Sequence, residues 1–167
     1  LLAEAGHPDG FDITFKFPTG RYAQDREVSE AVAGMLAQVG VRAKLVSLEP
    51  GEFLRQLRNK ELAPMAFVGL APQDDPDLQL AQYRSTWRYS YMNSPELDKL
   101  IDAGKQELDV DKRTKIYQDA AVLMHDFAPV IFLYDGVDFY AATKKLQNFT
   151  ARGDGRIFLY DLSLSGN

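Results

Sequence analysis

The stretch FDITFKFPTGRYAQD, residues 11–25, decides how the rest of the chain is read. Phe11, Ile13, Phe15 and Phe17 alternate with Asp12, Thr14 and Lys16, the two-residue period of a strand with one buried face. The alternation breaks at Pro18 and passes through Gly20, Arg21 and Tyr22 to a charged helix start at Asp25. Val28, Val32, Met35, Leu36 and Val39 then recur at three- and four-residue steps, which predicts an amphipathic helix stopped by Gly40. VRAKLVSL, residues 41–48, reads as a second strand. Strand, helix and strand in this order predict a parallel pair joined by a right-handed crossover.

The pattern repeats. Residues 51–58 read as a short helix, and Met65 to Leu70 as a strand apolar on both faces, as a central parallel strand should be. Ser94 and Pro95 open a further helix with Leu97, Leu100 and Ile101 on its buried stripe. A longer one carries Ile116, Tyr117, Ala120, Leu123, Met124 and Phe127 and stops at Pro129. Residues 130–134 and 137–142 read as a hairpin around Asp135-Gly136, and residues 156–162 as a last strand. The expected fold class is α/β, a mixed, largely parallel sheet flanked by helices, in one domain of 167 residues.

Composition narrows the function. A net charge of −5 argues against binding a phosphate backbone, so no nucleic-acid partner is expected. With no Cys, thiolate catalysis and Cys-ligated zinc are excluded. The opening LLAEAGHPDG reads as the last turn of a helix ending at Gly6, followed by a Pro8-Asp9-Gly10 turn. It starts on Leu1 and shows no signal peptide, so the expectation is a piece of a longer protein.

In an open parallel sheet, ligands bind at the carboxyl ends of the strands. The first strand ends into Thr19-Gly20-Arg21-Tyr22 and the third into Ala71-Pro72-Gln73-Asp74-Asp75, so both loops are expected on one edge. Arg21 and Tyr22 are candidate ligand contacts; the alternative is that Tyr22 staples the helix start and Arg21 pairs with Asp25. Gln73, Asp74 and Asp75 could touch a ligand, cage a metal, or cap the next helix. YRSTWRYSYMNSPE places Trp87 among Tyr83, Tyr89 and Tyr91, rings able to stack on a solute or to cover the sheet.

Signals for catalysis are poor. His7 lies in a turn and His125 sits beside Asp126 on a helix, and there is no GxSxG, HExxH or GxxxxGK[ST] motif. No catalytic residue, metal or cofactor is expected. The leading reading is a noncovalent solute binder, with an effector-sensing α/β domain of a regulatory or signalling protein as the alternative.

AEAGHPDGFD, then GRYAQDREVSEAVAGMLAQVGVRAKL, then NSPELDKLIDAGKQELDVDKRTKIYQDAAVLMHDFAPVIFLY, resemble the carboxyl-terminal lobe of the family 5 extracellular solute-binding proteins. These are receptors of ABC importers for peptides, nickel and oligosaccharides. The resemblance implies a periplasmic-binding-protein-like (type II) lobe over residues 1–167, with the amino-terminal lobe outside this chain. It also implies a peptide-like or other small solute, permease subunits as partners, and a periplasmic or extracellular location, membrane-associated in a Gram-positive host. Peptide-binding members carry a Gly-Trp pair after the third strand and, a few residues on, an Asp for the ligand's amino group. Here the pair is Gly69-Leu70 and the count reaches Gln73, with Asp74 and Asp75 beyond, so Leu70, Gln73 and Asp74 join the candidate contacts.

Overall fold

The computed structural model describes residues 1–71, 73, 75–153 and 155–166. The chain divides into two compact units, Leu1–Leu70 and Ala71–Asn167.

The first unit is built on β1 (Phe11–Pro18), α1 (Asp25–Gln38), β2 (Val41–Leu48), α2 (Pro50–Arg58) and β3 (Met65–Ala66). The strands form one sheet in the order β2-β1-β3. β1 and β2 run parallel in continuous register from Phe11 opposite Val41 to Pro18 opposite Leu48, the predicted crossover pair. Gly40 (φ +91°) closes α1, and Gly10 must be glycine because a Cβ there would lie 1.9 Å from the Gly40 carbonyl oxygen. Phe15, Phe17 and Phe67 are buried together, with Val28 and Val32 of α1 and Ala43 and Leu45 of β2 packed on them. Met35 and Val39, expected on the same stripe, are exposed. The buried side of α1 instead takes Asp25 and Ser29.

The third strand is shorter than predicted, and it is not central. Only Phe15–Met65 and Lys16–Ala66 pair, and the Phe67 N–H continues to the Lys16 carbonyl at 2.9 Å. β1 holds the centre because strands flank it on both sides. Residues 68–70 leave the ladder, and Val68 and Leu70 are exposed.

The second unit contains α3 (Pro76–Leu80), α4 (Pro95–Gln106) and α5 (Val110–Phe127). Ser94 caps α4, its hydroxyl accepting from the Leu97 N–H at 3.2 Å, and Asp109 caps α5 through the Lys112 N–H at 3.0 Å. Leu97 and Ile101 of α4 pack with Ala120 and Met124 of α5 and with Met92, the helical core expected from the periodicity. Phe127 is exposed, and Ala128 (φ 48°) ends α5 before Pro129.

The hairpin over 130–142 and the strand over 156–162 do not form. The strand pair in this region is β4 (Leu146–Gln147) against β5 (Ser163–Leu164), antiparallel. Apolar alternation makes a strand only where a neighbour takes up its backbone N–H and C=O groups, and among the described residues no strand lies alongside these tracts.

Candidate functional site

The corner after β1 is built around one carboxylate. Thr19 leaves the sheet with its N–H on the Leu48 carbonyl at 3.0 Å, and its hydroxyl hydrogen-bonds that of Ser47. Gly20 (φ +76°) turns the chain, and Gln24 (φ 54°, ψ 33°) turns it again into α1. The loop between wraps Asp25, which is only 4% exposed. Asp25 Oδ2 accepts from the N–H groups of Arg21 at 2.9 Å and Tyr22 at 3.1 Å, and Oδ1 accepts from the Arg26 N–H at 2.9 Å. Burial pushes the Asp25 carboxyl up, but the backbone N–H groups of Tyr22, Arg21, Gly20 and Arg26 outweigh it, so its pKa lies below the usual carboxylate value. The Ser29 hydroxyl donates to the Asp25 carbonyl at 2.7 Å.

Tyr22 stands edge-on to Phe67, with ring centroids 5.7 Å apart and planes at 87°. Its ring also lies on Gly69, where a Cβ would come within 2.8 Å of Tyr22 Cε1. Any larger residue at 69 would displace the tyrosine. Arg21 rests on the same ring: Nε donates to the Tyr22 hydroxyl at 3.2 Å, and the guanidinium carbon is 5.5 Å from the ring centroid. The ends of β1 and of the segment after β3 thus meet through Tyr22 and Gly69, as expected for parallel neighbours. Leu70 closes this unit with an exposed side chain.

The two readings of this corner divide. Tyr22 does pack, but Arg21 meets Asp25 through its backbone N–H, not through its side chain. The Arg21 guanidinium forms no ion pair among the described residues, whereas Arg42 pairs with Asp12 at 2.8 Å and Arg55 with Glu52 at 2.7 Å. The contribution of Asp25 went unread in the sequence. Its signal is an acid at the first position of a helix, directly after a Gly-containing turn with amide groups to satisfy.

In the second unit, Asp74 lies outside the described residues. Gln73 is exposed, its side-chain amide donating to the Ala71 carbonyl at 3.4 Å. Asp75 caps α3, accepting from the Asp77 N–H at 2.8 Å, and takes Arg113 of α5 at 2.6 Å. That guanidinium, then the Asp77 N–H, holds the Asp75 carboxyl below its usual pKa. Asp75 therefore serves as a cap, and no group of acids or histidines able to hold a metal occurs among the described residues. Trp87 is exposed and meets Tyr89 edge-on, centroids 6.5 Å apart. Tyr83 instead packs on the helical core, where burial raises its pKa. Of the two histidines, His7 leans on Phe11 and His125 meets Asp126 at 3.2 Å.

A parallel α/β sheet flanked by helices is the architecture of a periplasmic-binding-protein-like lobe, and solved structures of that class share the fold. The chain resembles the family 5 solute-binding proteins, as read from the sequence. It is 27% identical to the dipeptide-binding protein of Escherichia coli (strain K12) over 98% of this chain and 32% of that protein. It is 25% identical to heme-binding protein A of Haemophilus influenzae over 99% of this chain and 32% of that one. The dipeptide-binding protein from Pseudoalteromonas sp. SM9913, solved in complex with Met-Leu, superposes with a TM-score of 0.85 at 20% identity, covering 98% of this chain and 34% of that structure. HbpA2 from Haemophilus parasuis gives a TM-score of 0.73 at 25% identity over 98% of this chain and 34% of that structure. The chain spans about a third of the length of the curated relatives it matches. These relatives are binding proteins by name, not enzymes. No protein-family model matches the chain.

Proposed function

We propose that residues 1–167 are the carboxyl-terminal ligand-binding lobe of a two-lobe receptor that captures a small peptide-like solute without covalent chemistry and delivers it to an ABC permease. The observation that carries this reading is the Arg21-Tyr22-Gly69 stack: a guanidinium without an acidic partner among the described residues, seated on a phenol ring at the carboxyl edge of the sheet. Such a cation suits a solute carrying a carboxylate, since a guanidinium presents paired donors to two oxygens. The names of the relatives, dipeptide-binding and heme-binding proteins, support a solute of that kind. Leu70, Gln73, Asp74 and Trp87 are further contacts proposed from the resemblance and from their loops. The receptor works in the periplasm or outside the cell, with the amino-terminal lobe and the permease as its partners.

The test is to purify the full receptor, denature it and identify the released molecule by mass spectrometry. A carboxylate-bearing peptide or related solute is expected; recovery of a neutral or cationic solute would overturn the reading. In that receptor Arg21→Ala should weaken binding about tenfold or more, the loss of a charge-assisted hydrogen-bonded pair. Stability should change by no more than about 0.5 kcal/mol, because the side chain is exposed.

A further inference from the structure

We propose that Asp25 is a positioning residue of the solute site, its carboxylate fixing the backbone from which the Arg21 guanidinium and the Tyr22 ring extend; this rests on the reading of those two side chains as solute contacts. The Asp25 carboxylate reaches backbone N–H groups, with no hydrogen bond to either side chain among the described residues. It holds their amides, at 2.9 Å and 3.1 Å, and the Arg26 amide at 2.9 Å from its other oxygen. With Gly20 in the left-handed region, the consecutive N–H groups converge as in an anion-binding nest, and here the anion is the protein's own.

Two consequences follow from that occupancy. The Arg21 and Tyr22 amides are already satisfied, so an anionic group of the solute has the Arg21 side chain to meet at this corner, not those two N–H groups. The corner also needs an acceptor at every carboxylate position. A neutral carboxamide has one acceptor oxygen, and its NH2 would confront an N–H donor on the other side. Asp25→Asn keeps the shape and breaks half of the arrangement, so the turn holding Arg21 against Tyr22 loosens.

The experiment uses the full receptor, with the dipeptide Met-Leu and its carboxyl-terminal amide as probes, and follows the Arg21 Nε–H resonance by NMR. Asp25→Asn should move that resonance toward the position of a freely solvated guanidinium and weaken Met-Leu about tenfold. In an Arg21→Ala background the same substitution should add less than about twofold, because both act through one contact. Ser29→Ala, which disturbs the same helix turn through the Asp25 carbonyl but leaves the carboxylate alone, should leave both the resonance and the affinity unchanged. Asp25→Ser, a shorter acceptor, carries the same comparison if the carboxamide variant does not fold. An unmoved Arg21 resonance, or fold-losses that multiply in the double variant, overturns the proposal. If wild-type receptor binds neither probe, the dipeptide as solute fails by itself, and the Arg21 resonance still decides whether Asp25 positions the corner.

Discussion

Phe15 and Phe139 sit in stretches of similar apolar alternation and end in opposite surroundings, one 2% exposed and the other 93%. Phe15 lies on β1, whose backbone pairs with β2 on one side and β3 on the other while α1 covers its face. Phe139 lies in a tract with no ladder. Alternation supplies a face that could be buried; a neighbouring strand and a covering helix are what bury it. Where the chain supplies a pairing strand, as β2 does for β1, the condition is met. Where it is not, hydrophobicity alone leaves the side chains in water.

The largest expected effect sharpens that contrast. Phe15→Ala leaves a void among Phe17, Phe67, Val32 and Leu45 and should cost about 3–5 kcal/mol by urea denaturation, the range for truncating a buried aromatic. A cost under about 1 kcal/mol would mean that the first unit is not packed as described.

A smaller effect comes from Asp25, the buried acid between that core and the corner. Its carboxyl has a lowered pKa in the folded state, so the stability it contributes is fully present above its ordinary pKa and is lost as pH falls toward the folded value. Asp25→Asn should cost on the order of 2 kcal/mol at neutral pH, the scale of hydrogen bonds to a charged group. The gap between wild type and variant should then narrow below about pH 4, where the unfolded-state carboxyl begins to protonate. Denaturant titrations at a series of pH values measure this; a gap constant down to pH 2.5 would contradict the lowered pKa.

The same local logic separates what could be read from the sequence from what could not. β1, α1 and β2 were legible because period, turn and Gly40 stop all lie within one continuous stretch. The cap Ser94 was legible as well; Asp109 was not read as one, although a cap needs only three residues of context. β3 was overdrawn because the apolar run to Leu70 says nothing of where Lys16 ceases to offer a partner. At the site, the placement of Arg21 and Tyr22 on the strand end followed from topology. The contact of Tyr22 with Gly69 and the amide cage of Asp25 did not, because the first joins residues 47 apart and the second depends on left-handed backbone at Gly20 and Gln24. Trp87 and Tyr83 looked alike in sequence, and only the helical core distinguishes them.

The smallest effect belongs to Phe139. In this chain Phe139→Ser removes a ring that is already in water, so no cavity forms and no transfer free energy is lost. The expected change is within about 0.5 kcal/mol, as for exposed sites away from caps and ion pairs. The same reasoning gives the variant a second signature: with one large apolar group fewer on an exposed tract that also carries Ile131 and Phe132, self-association should fall. Sedimentation and urea denaturation together read both quantities. A loss of more than about 1 kcal/mol would mean that Phe139 is buried in solution and that the strand predicted over residues 137–142 forms after all.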